Sequence, residues 1–176
     1  MGRWFVIPLV AAGAIWQASA AGTEGQQAAV WKTQEVTLTY EGFTTHYSCE
    51  GLRDKVEQAL LTLGARHDLI VTPYGCSRVG MPEPLPSLQI KVATLRPAAA
   101  TATAGGDTVE ATWKTVSLAG ISGLDSGDCE LADQIRRDIL PLFTTRNIVA
   151  RTACAAHQQS AGTPALTLDV LVPATH

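Results

Sequence analysis

The sequence lacks the closely spaced cysteines that metal and redox sites require. It has four cysteines, and the two closest, Cys129 and Cys154, stand 25 positions apart. A structural zinc site and a thioredoxin-type redox site both need a pair such as Cys-x-x-Cys. No histidine lies two or four positions from another histidine or from a cysteine. The pattern therefore predicts no metal site.

Other functional signatures are also missing. There is no Gly-x-Ser-x-Gly elbow, and Gly105-Gly106 has no lysine placed as in a phosphate loop. The 13 Lys and Arg against 16 Asp and Glu give a net charge of −3 without a basic cluster, which gives no electrostatic reason to bind nucleic acid. After position 20 no apolar run approaches membrane-spanning length. We expect no catalytic residue, no cofactor, no nucleic acid and no membrane span in the mature chain.

Residues 1–20 have the pattern of a secretory signal peptide. Arg3 supplies a positive charge, an apolar run extends from Trp4 to Trp16, and Ala18-Ser19-Ala20 places small residues at the cleavage positions. The run is too short for a membrane span. We expect cleavage near Ala20 and a periplasmic or secreted mature chain.

The next part predicts a flexible leader over residues 21–30 and then a β-α-β-β unit. Apolar residues alternate from Trp31 to Tyr40 and again from Leu88 to Val92, as they do in half-buried strands. Between them, the segment from Cys49 to Ala65 has an apolar stripe at helical spacing. Ser48 is its expected N-cap, and Gly64 is expected to close it in a left-handed turn. A third strand leads from Leu69 towards Cys76.

After a predicted linker, residues 96–111, the same order of features returns. Asp128 is the expected N-cap of a second helix, which Pro141 kinks or ends early. Strands are predicted at Asn147–Ala150 and Leu166–Val172. Four markers recur at offsets of 78 to 82 positions: Trp31 and Trp113, Cys49 and Cys129, Arg66 and Arg146, and Cys76 and Cys154. The order predicts a tandem duplication of residues 31–95 and 112–176.

Four cysteines in an exported chain predict two disulfide bridges. The lengths of the predicted helix and strand indicate which cysteines pair. The first helix rises roughly 24 Å at about 1.5 Å per residue. The strand that follows returns roughly 26 Å at about 3.3 Å per residue, so it ends beside the helix start. We therefore predict Cys49–Cys76 and Cys129–Cys154. The fold class is α+β: two helices on about six strands, related to the ferredoxin-like class, with the copies in one sheet or in two lobes.

The loop before the first helix is the candidate binding site. It consists of Phe43, Thr44, Thr45, His46 and Tyr47, whereas the second copy has Ile121–Gly127 at that place. Aromatic and hydroxyl side chains beside a helix N-terminus suit a ligand or a partner peptide, because backbone N–H groups point outward there. The alternative is that the aromatic residues only pack over the sheet edge.

The stretch Gly42–Val56, together with Leu60-x-x-Leu63-Gly64-Ala65-Arg66 and Cys129-Glu130-Leu131, resembles an uncharacterised family of small exported proteobacterial proteins. The resemblance covers most of the mature chain. It implies an envelope location in a Gram-negative bacterium and implies no activity.

The sequence favours an exported, non-enzymatic module that binds an envelope protein. The alternative is a small-ligand binder that uses the loop Phe43–Tyr47. A hydrolase built on His46 and a loop serine has the least support.

Overall fold

The structure, a computed structural model, describes residues 25–76, 80–98, 108–119, 124–151 and 163–174. These residues form six strands and two α-helices, in the order that the alternating and helical patterns predict. In chain order they are β1 (Gln26–Thr39), α1 (Cys49–Thr62), β2 (Ile70–Tyr74), β3 (Ser87–Pro97), β4 (Thr108–Leu118), α2 (Cys129–Gln134), β5 (Thr145–Arg151) and β6 (Ala165–Pro173). The fold is therefore α+β, as predicted.

All six strands belong to one antiparallel sheet with the order β2-β3-β1-β4-β6-β5. Residues 25–98, the first half, supply three adjacent strands, and residues 108–174, the second half, supply the other three. The halves meet where β1 pairs with β4, from Gln26↔Thr112 to Val30↔Thr108. The question of one sheet or two lobes is thereby answered in favour of one sheet.

Both helices pack on the same face of this sheet. Apolar side chains of β1, β3, β4 and β6 alternate along each strand and meet the apolar stripes of α1 and α2 in one buried core. The core includes Leu38, Leu52, Leu60, Leu88, Ile90, Leu118, Leu131, Ile135, Leu168 and Val170. Burial of these side chains is the main stabilising contribution to the fold.

The helix α1 follows its local sequence signals closely. The Ser48 hydroxyl accepts a hydrogen bond from the Gly51 N–H at 3.1 Å, which confirms the predicted N-cap. The helix ends at Thr62, and Gly64 has a φ of +84°, the left-handed conformation expected after a helix.

The second helix is irregular, as Pro141 predicted. After Gln134 the chain forms a π-helical turn at Ile135–Ile139 and a 3-10 turn at Leu140–Leu142. Asp128 stands at the N-cap position, but its side chain makes no capping hydrogen bond. The capping role predicted for Asp128 was wrong, because its carboxylate is engaged by residues of the first half.

The disulfide Cys49–Cys76 is present and joins the first turn of α1 to the second residue after β2. Its Cα atoms are 6.4 Å apart, within the range that disulfides allow. This confirms the first predicted bridge. Cys154 lies outside the described residues, so the Cys129–Cys154 bridge stays a prediction.

Three strand boundaries differ from those that the sequence predicts, because the expected leader and linker are partly strand. β1 begins at Gln26, inside the expected leader, because residues 26–30 pair with β4. β3 continues to Pro97 and β4 starts at Thr108, so both ends of the expected linker are strand. Residues 99–107 lie outside the described ranges.

The second face of the sheet, opposite the helices, carries a small apolar cluster of its own. Ala29, Leu95, Ala111 and Leu171 are buried there. Trp31, Val109 and Trp113 pack against them from strand positions of the same alternation. The two tryptophans therefore mark the face that α1 and α2 do not cover.

Candidate functional site

The loop Phe43–Tyr47 lies where the two helices begin. It precedes α1 in the chain, and it contacts the first turn of α2 in the second half. The two helix N-termini meet at this end of the helices, where Lys55 of α1 forms an ion pair with Asp128, the residue before α2. We call this end, with the loop Phe43–Tyr47, the loop end.

A single carboxylate oxygen of α2 holds this loop in place. Glu130 Oε2 accepts hydrogen bonds from Phe43 N at 2.8 Å and Thr44 N at 3.1 Å. It also accepts from Thr44 Oγ1 at 3.2 Å. Burial disfavours the charged form of Glu130, but these hydrogen bonds outweigh it and lower the pKa of the carboxyl group. The ionised glutamate therefore fixes the backbone of the loop.

A second group of contacts surrounds Asp128, the residue before α2. Its buried carboxylate accepts hydrogen bonds from the Tyr47 hydroxyl, from Lys55 Nζ at 2.8 Å and from Asp125 N at 2.7 Å. Lys55 also forms an ion pair with Asp125 at 2.7 Å. Three donors thus satisfy this buried carboxylate. Since Tyr47 and Lys55 belong to the first half and Asp128 to the second, the group is a bridge between the two halves.

Tyr47 of this bridge and the neighbouring Tyr40 are held in their neutral form. Burial raises the pKa of Tyr47 well above its ordinary value, and the hydrogen bond to Asp128 raises it further. Burial likewise raises the pKa of Tyr40, followed by the negative charges of Glu130 and Asp128. The Tyr40 ring meets the Tyr47 ring edge-on, with centroids 4.8 Å apart.

The five predicted loop residues divide into two groups. Thr44, Thr45 and Tyr47 have side chains that bond to the second half, since Thr45 Oγ1 donates to the Gly127 carbonyl at 2.9 Å. Phe43, by contrast, is 71% exposed, and His46 is exposed beside it. The outward surface of the loop is therefore formed by Phe43 and His46.

Three more exposed apolar residues lie at the loop end. Tyr74 ends β2 two residues before Cys76, while Met81 and Leu85 belong to the segment that precedes β3. Each is more than half exposed. This segment runs beside the loop, because Glu83 N donates to the Tyr47 carbonyl at 3.0 Å and Ser48 pairs with Pro82. The loop end thus presents an apolar surface.

The contacts of Glu130 were not found by sequence reasoning. The repeated Cys-Glu dipeptide marked both helix starts, but it gave no reason to connect Glu130 with a loop 86 positions earlier. The counterpart Glu50 accepts one longer hydrogen bond, from Gly80 N at 3.3 Å. The two glutamates therefore differ in their contacts in the folded chain: Glu130 binds the loop before α1, whereas Glu50 accepts a hydrogen bond from Gly80.

Tryptophan and arginine also form two similar stacks on the sheet. The Arg66 guanidinium lies 5.5 Å from the ring centroid of Trp31, and that of Arg146 lies 4.2 Å from the ring centroid of Trp113. Both distances are within the range of cation–π contacts. These were two of the recurring sequence markers, and the fold brings each pair together.

The described ranges contain neither a metal-binding cluster nor a helix able to span a membrane. No three His, Cys, Asp or Glu side chains in this part of the chain come together as a metal site would require. Neither α1 nor α2 has the length and apolar content needed to cross a membrane. The chain matches no protein-family model, no curated protein and no solved structure.

Proposed function

We propose that this protein is an exported, non-enzymatic module that binds a partner protein through its loop end. One observation carries the proposal: Phe43 is 71% exposed, while its own backbone amide is fixed to Glu130 at 2.8 Å. The aromatic ring is thus presented to solvent on a backbone that is already ordered. It is well suited to insertion into an apolar pocket of a partner.

The fixed backbone is what makes the loop favourable for binding. A loop that must be ordered on binding loses conformational entropy, and a loop that is already ordered avoids this loss. Aromatic side chains dominate the binding energy of many protein interfaces. Glu130 and Asp128 therefore support binding indirectly, by holding the segment that presents Phe43.

The partner is a protein with an apolar groove. The exposed side chains Tyr74, Met81 and Leu85 extend the apolar surface beyond Phe43, so the contact is broader than one small molecule would cover. A small ligand at the loop has less support, because Thr44, Thr45 and Tyr47 direct their polar groups to the second half. A hydrolase has less support still, since none of the described residues hydrogen-bonds to the His46 side chain.

Export is the second part of this proposal. The pattern of residues 1–20 supports it, and so does the Cys49–Cys76 bridge, because structural disulfides persist in oxidising compartments. The resemblance to small exported proteobacterial proteins points to the same location. Fractionation of cells that produce the full chain should place it in the periplasm or the medium, shortened near Ala20.

The third part is that the chain is a tandem duplication. At the centre of the sheet Ala28 pairs with Glu110, 82 positions away, and Trp31 and Trp113 also differ by 82. A strand pair that crosses a two-fold axis joins a residue to its own counterpart, so the register supports the duplication. The two tryptophan–arginine stacks support it as well. Peptide mapping without reduction should find Cys129 joined to Cys154.

The partner-binding proposal is tested by photo-crosslinking. Benzoyl-phenylalanine is placed at position 43, and at position 148 as the matched control. Ile148 is also an exposed apolar residue, but it belongs to β5 at the edge of the sheet. We expect a crosslinked protein with the probe at position 43 and none with the probe at position 148.

Affinity measurements then decide whether Phe43 carries the contact. Phe43→Ala should weaken binding of the crosslinked protein by about 30-fold, the effect of losing an interface anchor worth about 2 kcal/mol. Ile148→Ala should leave the affinity unchanged. The proposal is wrong if the probe at position 43 captures no more than the probe at position 148, or if Phe43→Ala binds as tightly as the wild type.

A further inference from the structure

A cleft of about 480 Å³ lies on the second face of the sheet, away from the loop end. It is lined by Gly25, Gln26 and Gln27 from the start of β1, by Trp113 from β4 and by Arg146 from β5. Its volume is within the range of about 300–1,000 Å³ that is typical of small-molecule sites. Trp113 and Arg146 recur as Trp31 and Arg66 in the first half, but Gln26 and Gln27 stand 82 positions before Thr108 and Val109, so the lining of this cleft is not the same in both halves.

Arg146 supplies the cation of this cleft. Its Nε donates to Asp169 Oδ2 at 3.3 Å, and its guanidinium lies 4.2 Å from the ring centroid of Trp113. Asp169 is itself fixed by hydrogen bonds from Thr115 Oγ1 at 2.6 Å and Asn147 Nδ2 at 2.7 Å. The guanidinium is thus held from two sides. Among the described residues its two terminal nitrogens have no hydrogen-bond acceptor, and the side chain is 52% exposed.

Gln27 supplies an uncharged donor. Its side-chain Nε2 is buried and has no hydrogen-bond partner among the residues that the structure describes. Buried polar atoms are nearly always paired, so an orphaned donor calls for a physical reason. The counterpart of position 27, 82 positions later, is Val109, which packs into the apolar cluster beside Trp31. The fold therefore accepts valine at this place, and packing does not require an amide.

We propose that this cleft binds a small organic carboxylate, with Arg146 pairing with the carboxylate and Gln27 donating to a further oxygen of the same molecule. The two terminal nitrogens of a guanidinium match the two oxygens of a carboxylate in geometry and charge. The orphaned amide requires an acceptor, which a neighbouring oxygen of the ligand supplies. Trp113 forms an apolar wall. This site shares no residue with the loop end, so the two proposals fail independently.

The first experiment titrates the full mature protein with defined acids and their matched amides. The probes are benzoate with benzamide, citrate with its triamide, and N-acetyl-dialanine with a free or amidated C-terminus. Amide chemical shifts are followed by NMR up to a ligand concentration of about 10 mM, which covers dissociation constants in the millimolar range. We expect saturable binding of at least one carboxylate, with the shifts centred on β1, β4 and β5. The matched amide should not bind.

Variants then connect binding to the two donors. Arg146→Gln should weaken binding by more than about tenfold, and Arg146→Lys should weaken it less, because lysine keeps the charge and loses the planar fork. Arg66→Gln is the matched control, since Arg66 also stacks on a tryptophan and bonds to Asp68 at 2.8 Å. It should bind as the wild type does.

Gln27→Val separates a binding role from a structural one. Because valine occupies the counterpart position, this variant should unfold at the same temperature as the wild type or a higher one, while binding weakens by about tenfold. The proposal is overturned if no acid in the panel binds, if amides bind as well as acids, or if Arg146→Gln and Gln27→Val leave the affinity unchanged.

Discussion

The hydrogen bonds to Glu130 give the sharpest stability prediction, since one side chain of α2 holds the loop of the other half. Glu130→Ala removes the acceptor of four hydrogen bonds, three from the loop of 2.8, 3.1 and 3.2 Å and one of 3.5 Å from the Tyr40 hydroxyl. A hydrogen bond to an ionised group contributes about 1.5–3 kcal/mol when it is buried. In the variant, water can accept hydrogen bonds from the freed donors of the loop, so the total cost is smaller than the sum. We expect about 2–3 kcal/mol in total, which includes the favourable position of an acid in a first helical turn.

The matched control is Glu50→Ala at the corresponding position of α1. Glu50 also lies in a first turn, and among the described residues it accepts one hydrogen bond, from Gly80 N at 3.3 Å, so its loss should cost less than about 1 kcal/mol. Urea unfolding at pH 7, followed by tryptophan fluorescence, measures both variants against the wild type. In a thermal scan Glu130→Ala should lower the melting temperature by roughly 4–12 °C, at about 2–4 °C per kcal/mol.

Acid titration adds an independent check. The pKa of Glu130 is lower in the folded chain than its ordinary value of 4.5, so its stabilising contribution is fully present above pH 4.5. It is lost as the pH falls through the lowered pKa. The difference in unfolding free energy between the wild type and Glu130→Gln should therefore be constant near neutral pH and shrink below 4.5. A Glu130→Ala effect no larger than that of Glu50→Ala, or a difference independent of pH, would refute the reasoning.

Three further changes test other parts of the fold, each by urea unfolding. Tyr47→Phe should cost about 1–2 kcal/mol, because a buried carboxylate loses one of its donors; since the pKa of Tyr47 is raised, the wild type alone should lose this contribution as the pH rises above 10.0. Gly64→Ala should cost about 2 kcal/mol, because φ is +84° and the new Cβ would lie 2.6 Å from Val172 Cγ1. Replacing Cys49 and Cys76 together by serine should cost about 3.5 kcal/mol on the chain-entropy estimate. Equal stability of any variant and the wild type would contradict the contact concerned.

The features that the sequence predicted best are those encoded over a few neighbouring residues. The start and end of α1 follow from Ser48, an apolar stripe and Gly64, all within seventeen positions. The Cys49–Cys76 bridge followed from the same local elements, because a helix and a returning strand of similar length must end side by side. The early start of β1 did not follow, since Gln26 is strand only through its pairing with Thr112 in the second half.

The candidate site shows the same division. Composition marked the loop Phe43–Tyr47, but it gave no means to tell which aromatic ring faces outward. Tyr47 is buried because its hydroxyl reaches Asp128, 81 positions away, whereas Phe43 has no hydroxyl to pair and stays outside. The capping role predicted for Asp128 was wrong for a similar reason. Aspartate suits a helix start, but the carboxylate of Asp128 accepts hydrogen bonds from Tyr47 and Lys55 of the first half.

Differences between the two halves of the sheet point to residues that packing alone does not explain. The two tryptophan–arginine stacks are similar in both halves and are consistent with packing on the sheet. Phe43 and Gln27 each depart from the ordinary rule for their environment, because Phe43 is apolar and exposed, and Gln27 has a buried side-chain nitrogen without a hydrogen-bond partner among the described residues. Departures of this kind are expected at functional sites and are compensated elsewhere in the fold. The Glu130 hydrogen bonds are such a compensation for the loop, and Val109, 82 positions after Gln27, is an apolar side chain that packs into the cluster on the second face of the sheet.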